Sequence, residues 1–345
     1  MRKTIDIHSH YVSPELIKEA LQNGARYGVS IEEAAGGAQC LQFSRGARLR
    51  AFFAEPYDLQ VRVPGLRASG VERQVLSTWT DMAGDVLEAG EAARWARLQN
   101  ETLADAANSR PELFTAMGTL PLQNVAAACV ELDYAVQHLG MRSVELSTNI
   151  NGRDVDGAEL RPLWKRIRVL DVFVLLHPGF VTIAPDRLSN YFLNNLIGFP
   201  TDTTIAAARL LFSGLMDELP GLKICLAHAG GFLPYQIGRM DRGYAAHPAC
   251  RSGGSSLPSS LLQTFFFDTI THGDAALKFL FDTIDAGRIV YGSDYPFEML
   301  DPAGPSRIEN LTGLSAGQKS AALFGTAAAA LGLARGSGDV GGDAA

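Results

Sequence analysis

Histidines and one aspartate are spaced along this chain in a way that suits metal binding. His8 and His10 form a His-x-His pair. Because side chains two apart in an extended strand point the same way, both imidazoles can meet one ion. His177 and His228 each close an apolar run, and Asp294 follows another. Neutral imidazoles with one carboxylate suit zinc, and an open coordination position is typical of a catalytic site. The pattern therefore predicts a metal-dependent enzyme.

A structural explanation of the same residues is weaker. A His-x-His pair occurs by chance at polar strand ends, and a lone buried histidine usually has a packing role. Five ionisable groups, each at the end of an apolar run, are hard to explain as independent core histidines or solvated surface. Glu145 stands in a further apolar run, where binuclear metal barrels often place a bridging lysine. One metal ion is therefore the simpler prediction.

The elements that would hold these residues alternate along the chain. Short β-branched and aromatic runs are separated by longer amphipathic ones, as in repeated βα units around a parallel sheet. Eight strands, each followed by a helix, predict an α/β fold of the (β/α)8 TIM-barrel type, whose active face lies at the C-terminal ends of the strands. The predicted strands are residues 3–8, 73–77, 113–120, 143–147, 172–177, 222–228, 264–269 and 288–292.

One segment interrupts the alternation. Residues 23–55 are Gly-rich and too long for an ordinary βα loop, so we expect a small inset after the first strand, with a hairpin over residues 39–53. Residues 1–334 are predicted to form a single barrel domain. The Gly- and Asp-rich tail, residues 335–345, is predicted to be flexible.

Composition excludes several classes of protein. The 345 residues include 30 Lys and Arg against 37 Asp and Glu, and no basic run suggests a nucleic-acid partner. No stretch approaches the roughly 18 apolar residues of a membrane span, so we expect a soluble, cytoplasmic protein. The four cysteines are scattered, with no CxxC pair, which argues against a zinc knuckle or a disulfide framework.

Six motifs are spread along the chain: the His-x-His start, AMGTLPLQ from Ala116, TNINGR from Thr148, HPGF from His177, AHAGGFLPYQIGR from Ala227 and GSDYPF from Gly292. Together they resemble the amidohydrolase superfamily, and more narrowly its 2-amino-3-carboxymuconate-6-semialdehyde decarboxylase branch. The resemblance covers the chain from residue 4 to about residue 333.

The resemblance implies roles for the site residues. The implied metal ligands of this chain are His8, His10, His177 and Asp294, which would hold one Zn²⁺ per chain, or another divalent ion such as Mn²⁺. His228 would lie close to the metal as the catalytic acid or base. Asp294 would also serve as a base if the bound ion delivered water.

Substrate-binding residues follow less directly from the resemblance. It implies a homodimer in which Arg239 reaches the neighbouring active site and holds a substrate carboxylate, although a surface salt bridge explains Arg239 equally well. A second arginine would come from the inset, either Arg48 or Arg50. Phe297 in the last motif and Tyr191, where the branch usually has tryptophan, are further candidates.

These observations predict a lyase of aromatic-compound catabolism. We expect a zinc-dependent, non-oxidative decarboxylase of a small carboxylated aromatic or muconate-like acid. After His177 the named decarboxylase typically has Pro-Trp-Asp, whereas this chain has Pro178, Gly179 and Phe180, so a different substrate is expected.

Two other functions use the same residues. The main alternative is a hydrolase or hydratase of the same superfamily that delivers metal-bound water to a ring-cleavage product. Carboxylate-binding arginines and a tight apolar wall would favour the decarboxylase, and an open, wetter pocket would favour the alternative. The other alternative is a binding protein without turnover. It would need a closed four-ligand shell around the metal and would have no use for His228.

Overall fold

A computed structural model of the chain describes residues 3–46, 48–49, 51–52, 57–179 and 183–333. Arg50, Phe180 and the predicted tail lie outside the described residues. The strands, in chain order, are β1 (Ile5–His10), β2 (Val29–Glu33), β3 (Gln39–Phe43), β4 (Arg73–Ser77), β5 (Phe114–Met117), β6 (Ser143–Ser147), β7 (Asn149–Ile150), β8 (Arg153–Asp154), β9 (Phe173–His177), β10 (Lys223–Leu226) and β11 (Phe266–Phe267).

Helices fill most of the segments between the strands. Side-chain caps start several of them: Ser13 accepts a hydrogen bond from the Glu15 amide before α1, and Asn124 accepts one from the Ala127 amide before α4. The helices are α1 (Pro14–Asn23), α2 (Leu59–Ser69), α3 (Ala89–Asn108), α4 (Val125–Gln137), α5 (Arg161–Val169), α6 (Phe199–Phe212), α7 (Leu215–Glu218), α8 (Leu233–Ala246), α9 (Pro258–Leu262), α10 (Asp274–Thr283), α11 (Pro305–Asn310), α12 (Ala316–Ser320) and α13 (Thr326–Ala330).

The parallel strands close into a barrel. One ladder has the order β1–β4–β5, and the other has the order β6–β9–β10–β11. A parallel bridge between Gly118 and Val144 joins the two ladders. Residues 289–295 close the opposite side, because Ile289 bridges Phe267 and Tyr295 bridges Ser9. The predicted TIM barrel is therefore confirmed.

The predicted strands 113–120, 222–228 and 264–269 are observed as the shorter strands β5, β10 and β11, and two other predicted strands differ in more than length. Residues 288–292 lie in the barrel wall but make one isolated bridge, from Ile289 to Phe267, and no ladder with β11 or β1. The first strand continues past His8 to His10, because the His10 amide donates to the Tyr295 carbonyl at 2.7 Å. His8 and His10 therefore lie inside β1 and not after it.

The inset folds back on itself within the predicted hairpin and has a further strand before it. Strands β2 and β3 pair antiparallel, and in the described residues after β3 two antiparallel bridges, Gln42 to Arg48 and Gln39 to Phe52, return the chain onto β3. The inset packs onto the barrel through aromatic side chains. The Tyr27 ring lies 6.1 Å from that of Trp95, and the Phe52 ring lies 6.2 Å from that of Trp79. Burial of these apolar residues holds the inset beside the C-terminal end of the barrel.

Alternate side chains of a strand point into the barrel, and the last of them lies at the C-terminal end of the barrel. Phe173 and Leu175 on β9 are fully buried and pack with Ile5, Ile7 and other interior residues. His177 follows with the same period of two, so its side chain continues the same interior face. Among the described residues, no helix is both long and apolar enough to cross a membrane.

Candidate metal centre and active site

Four side chains converge at the C-terminal end of the barrel. One ligand atom from each of His8, His10, His177 and Asp294 lies within 4.8 Å of all the others, and all four residues are buried. The Asp294 Oδ1 atom lies 3.5 Å from His8 Nε2 and 3.3 Å from His10 Nε2. Three imidazoles and a carboxylate at this separation form a divalent metal site.

Unpartnered atoms of the same four residues fit a metal ion. The Nε2 atoms of His8, His10 and His177 and the Oδ1 atom of Asp294 are buried and accept or donate no hydrogen bond within the described part of the chain. Buried polar atoms nearly always have a partner. A cation would satisfy all four at once, while the opposite ring nitrogen of each histidine is held by the protein.

Close backbone approach makes room for this arrangement. A Cβ atom added to Gly292 would lie 2.8 Å from the Cβ atom of His8 and 3.2 Å from that of Asp268. Only glycine allows residues 289–295 to pass this close to β1. Asp294 itself has a φ of +63°, a left-handed conformation that is uncommon outside glycine.

Asp268 holds His8 from behind. Its Oδ2 atom accepts a hydrogen bond from Nδ1 of His8 at 2.7 Å, which leaves Nε2 facing the metal position. Burial disfavours a charged imidazole, but the hydrogen bond and charge of Asp268 outweigh burial and raise the pKa of His8 to about 9. Burial by itself would raise the pKa of the Asp268 carboxyl. The hydrogen bond from His8 outweighs burial and keeps this pKa below its usual value.

The same carboxylate positions His228. The amides of His228 and Ala229 donate to Asp268 at 2.8 and 2.7 Å. Both donors have positive φ angles, +55° and +54°, a conformation that costs on the order of 1–3 kcal/mol per residue and needs such support. His228 Nε2 consequently lies 3.9 Å from Oδ2 of Asp294, and the side chain reaches the cavity in front of the metal site.

A second network holds His177. The Thr80 hydroxyl lies 2.8 Å from Nδ1 of His177 and donates to the buried carboxylate of Glu145. Glu145 Oε2 also lies 3.8 Å from Nδ1 of His10. Burial and the neighbouring imidazoles hold the pKa of His177 well below its usual value, which favours the neutral, metal-binding form.

Asp294 is prepared for metal binding in the opposite way. Burial disfavours its charge, but the neighbouring imidazoles of His10, His228 and His8 outweigh burial and hold the pKa of Asp294 well below its usual value. This carboxylate is therefore ionised at neutral pH and supplies a negative charge to the site.

Two adjoining cavities open in front of these residues. The smaller one, about 150 Å³, contacts His177, His228 and Asp294 and has aromatic walls. Phe297 is one of them, and its ring lies 5.0 Å from that of His10. The larger cavity, about 500 Å³, lies beyond His228 and shares that residue and Asp294 with the smaller one. No lysine or arginine of the described chain lines either cavity.

The structure separates the predicted substrate-binding residues into two groups. Phe297 lies in the site, but Tyr191 is 87% exposed and lines neither cavity, whereas its neighbour Phe192 lines the smaller one. Arg48 makes an exposed 3.2 Å ion pair with Glu32 on the inset hairpin. Arg239 is exposed on α8. Within the described chain, neither arginine reaches its own metal centre.

Sequence reasoning missed the residues that hold the ligands. Asp268 is the penultimate residue of the predicted strand 264–269 and directly follows the observed strand β11, so its place near a strand's C-terminal end, like that of His177, was a usable signal. Thr80 has no comparable signal, because its partners lie 65 and 97 residues away along the chain.

Comparison with known proteins identifies the family. The family profile described as amidohydrolase matches residues 5–333. The chain belongs to the amidohydrolase family. This amidohydrolase is 29% identical to 2-amino-3-carboxymuconate-6-semialdehyde decarboxylase of Dictyostelium discoideum, over 95% of this chain and 91% of the relative. It is 31% identical to gamma-resorcylate decarboxylase of Rhizobium sp. (strain MTP-10005), over 71% of this chain and 79% of the relative.

A solved structure shows the same fold. Dihydroxybenzoic acid decarboxylase from Polaromonas sp. JS666, crystallised with manganese and the inhibitor 2-nitroresorcinol, superposes with a TM-score of 0.75 at 24% identity. The match covers 97% of this amidohydrolase and 98% of that chain. The predicted superfamily and decarboxylase-like branch are confirmed, as is the prediction of an enzyme of this metal-dependent group.

Proposed function

We propose that this amidohydrolase is a non-oxidative decarboxylase of a small carboxylated aromatic acid. The observation that carries the proposal is the position of His228, whose Nε2 atom lies 3.9 Å from the metal-site carboxylate of Asp294, at the wall of a small aromatic cavity. A closed binding site without turnover would have no use for a histidine there. The decarboxylase relatives support the same reaction class.

Decarboxylation needs an electron sink and a proton donor. A bound divalent ion would supply Lewis acidity toward a substrate oxygen. His228 would hold the proton that takes the place of CO2 on the ring carbon, so that CO2 leaves without the bonding electron pair. The rings of Trp79, Phe199 and Phe297 would orient the substrate and exclude water from the cavity.

A cationic side chain that binds the substrate carboxylate has to come from outside the described lining of the two cavities. We propose the homodimer in which Arg239 of one protomer reaches the other's active site. Its side chain is exposed on α8 and makes no ion pair within the described part of this protomer, so it is available to a second copy. Arg50 of the inset stays a prediction, and Arg48 would have to leave Glu32 to take part.

Zinc and manganese are both candidates for the metal. Three imidazoles and one carboxylate suit Zn²⁺, whereas the Polaromonas structure contains manganese. We also propose that the enzyme works as this homodimer in the cytoplasm. A hydrolase or hydratase is the second candidate function, because no arginine of the described chain lines the cavities and a bound ion can activate water.

Metal replacement and product analysis test the proposal together. The purified enzyme is stripped with a chelator, reloaded with Zn²⁺ or Mn²⁺, and given 2,6-dihydroxybenzoate, 6-methylsalicylate or 2-amino-3-carboxymuconate 6-semialdehyde in H₂¹⁸O. Metal-dependent release of CO2 with no ¹⁸O in the organic product supports the decarboxylase. Metal-dependent incorporation of ¹⁸O without CO2 release would overturn it in favour of the hydrolase or hydratase.

A further inference from the structure

The larger cavity exceeds what a single carboxylated ring requires. Its volume of about 500 Å³ lies within the range of small-molecule sites, whereas the cavity against the metal ligands has about 150 Å³. The two cavities share Asn195, Phe199, His228, Asp294 and Met299 in their linings. A molecule that reacts beside His228 could therefore extend into the larger cavity without leaving the metal site.

The walls of the larger cavity are mostly apolar. Its floor includes Ile270 and Leu280, which are 3% and 2% exposed. Aromatic side chains form much of the rim, including Phe232, Tyr235 and Phe279. Binding against such walls removes apolar ligand surface from water, which favours a hydrocarbon group.

Charge distribution argues against a second ionic group on the ligand. Apart from His228 and Asp294, which face the metal site, the ionisable residues of this lining are His272 and Tyr235. No lysine, arginine or additional carboxylate of the described chain is present in it. Within one protomer, an ionised substituent would lose hydration there without a counter-charge, which is costly. In the proposed homodimer, Arg239 of the partner subunit would pair with the ring carboxylate beside the metal site and not with this substituent.

We propose that this cavity is a subsite for an uncharged hydrocarbon substituent of the substrate, either an alkyl chain or a second ring. The inference rests on the proposed function and narrows its substrate class to aromatic acids that bear such a group. The carboxylated ring occupies the smaller cavity beside the metal, and the substituent passes His228 and packs between α8 and α10.

The helix α10 offers a matched pair of variants. Ala276 lines the cavity, whereas Ala275 lies on the same helix outside the lining, and both are exposed. A larger side chain at either position leaves the protein core undisturbed. Ala276→Phe would fill part of the subsite, and Ala275→Phe would add the same surface outside it. Ala276→Leu is a smaller block for use if the phenylalanine variant does not fold.

Binding of product analogues tests the subsite without any need for turnover. Resorcinol, 4-pentylresorcinol and 5-pentylresorcinol are titrated into the metal-loaded enzyme by isothermal titration calorimetry. We expect at least one pentyl compound to bind about tenfold or more tightly than resorcinol. Ala276→Phe should reduce that preference to within about twofold, and Ala275→Phe should retain it. Equal affinities in the wild type, or equal effects of the two variants, would overturn the subsite.

A parallel assay separates this inference from the proposed function. CO2 release from 2,6-dihydroxybenzoate is measured on the same preparations. CO2 release without a pentyl preference overturns the subsite and leaves the decarboxylase standing. The subsite is supported if only the Ala276 variant removes the preference for a pentyl compound. This support holds even if ¹⁸O incorporation replaces CO2 release and so overturns the proposed decarboxylation.

Discussion

The Nδ1 atom of His8 lies 2.7 Å from Oδ2 of Asp268, and both side chains are completely buried. The same carboxylate accepts the backbone amides of His228 and Ala229. One aspartate therefore orients a metal ligand and the proposed proton donor at the same time. The metal site and the acid–base group are consequently coupled through a residue that contacts neither metal nor substrate.

Replacing Asp268 should weaken metal binding more than it weakens the fold. In Asp268→Asn the His8 ring loses its charged partner, so we expect metal affinity above pH 9, where protons no longer compete for His8 in either protein, to fall by about 10- to 100-fold. Competition with a fluorescent chelator measures the affinity. Asp282→Asn, on the exposed side of α10, is the control and should bind metal as the wild type does. An unchanged affinity in Asp268→Asn would show that His8 is positioned by other contacts.

His177 and His228 should respond differently to truncation. His177→Ala removes one of the four ligand atoms, so metal and activity should be lost together. His228→Ala leaves the four ligands in place, so it should keep the metal and lose turnover by about 10²–10⁴-fold. Metal content by mass spectrometry, together with kcat for whichever tested carboxylic acid the wild type decarboxylates, distinguishes the two variants. Full activity in metal-loaded His228→Ala would refute its proposed role.

Metal affinity should rise with pH through the neutral range. The raised pKa of His8, about 9, means that in the metal-free chain its ring is protonated at neutral pH and must lose that proton before Nε2 can bind an ion. This group alone contributes roughly a tenfold gain in affinity per pH unit below its pKa. Chelator competition between pH 6.5 and 8.5 measures the slope.

The Asp268→Asn variant provides the control for that pH dependence. Without the carboxylate, the pKa of His8 should fall, so the rise of affinity should shift to lower pH. A flat profile in the wild type, or identical profiles in both proteins, would contradict the role of Asp268 in setting the charge of His8.

Gly292 should not tolerate even alanine. The added Cβ atom would lie 2.8 Å from the Cβ atom of His8, and this separation forces either β1 or residues 289–295 to move. We expect Gly292→Ala to lower the free energy of unfolding by about 1–3 kcal/mol and to weaken metal binding. Urea denaturation and chelator competition measure the two effects. Gly238→Ala on α8, where a Cβ atom meets nothing within 4 Å, should show neither.

Much of the metal centre could be predicted from sequence because its signals are local. Apolar runs that end in His177 or precede Asp294 mark the active face of a barrel, since neighbouring residues along a strand determine which face and which end each side chain occupies. The His-x-His pair was found for the same reason. The positions of most strands followed from the alternation of short and long apolar patterns, whereas residues 288–292 proved to pair through one isolated bridge at Ile289.

Tertiary structure decided what surrounds those ligands. His8 and Asp268 are 260 residues apart, and only closure of the barrel brings them into contact. The same applies to the two cavities, to the exposure of Tyr191 beside Phe192, which lines the smaller cavity, and to the exposed positions of Arg48 and Arg239. The sequence by itself determined the ligand types and the strand ends that carry them, because those depend on local periodicity. Partners and pocket shape depend on long-range packing, which no local pattern records.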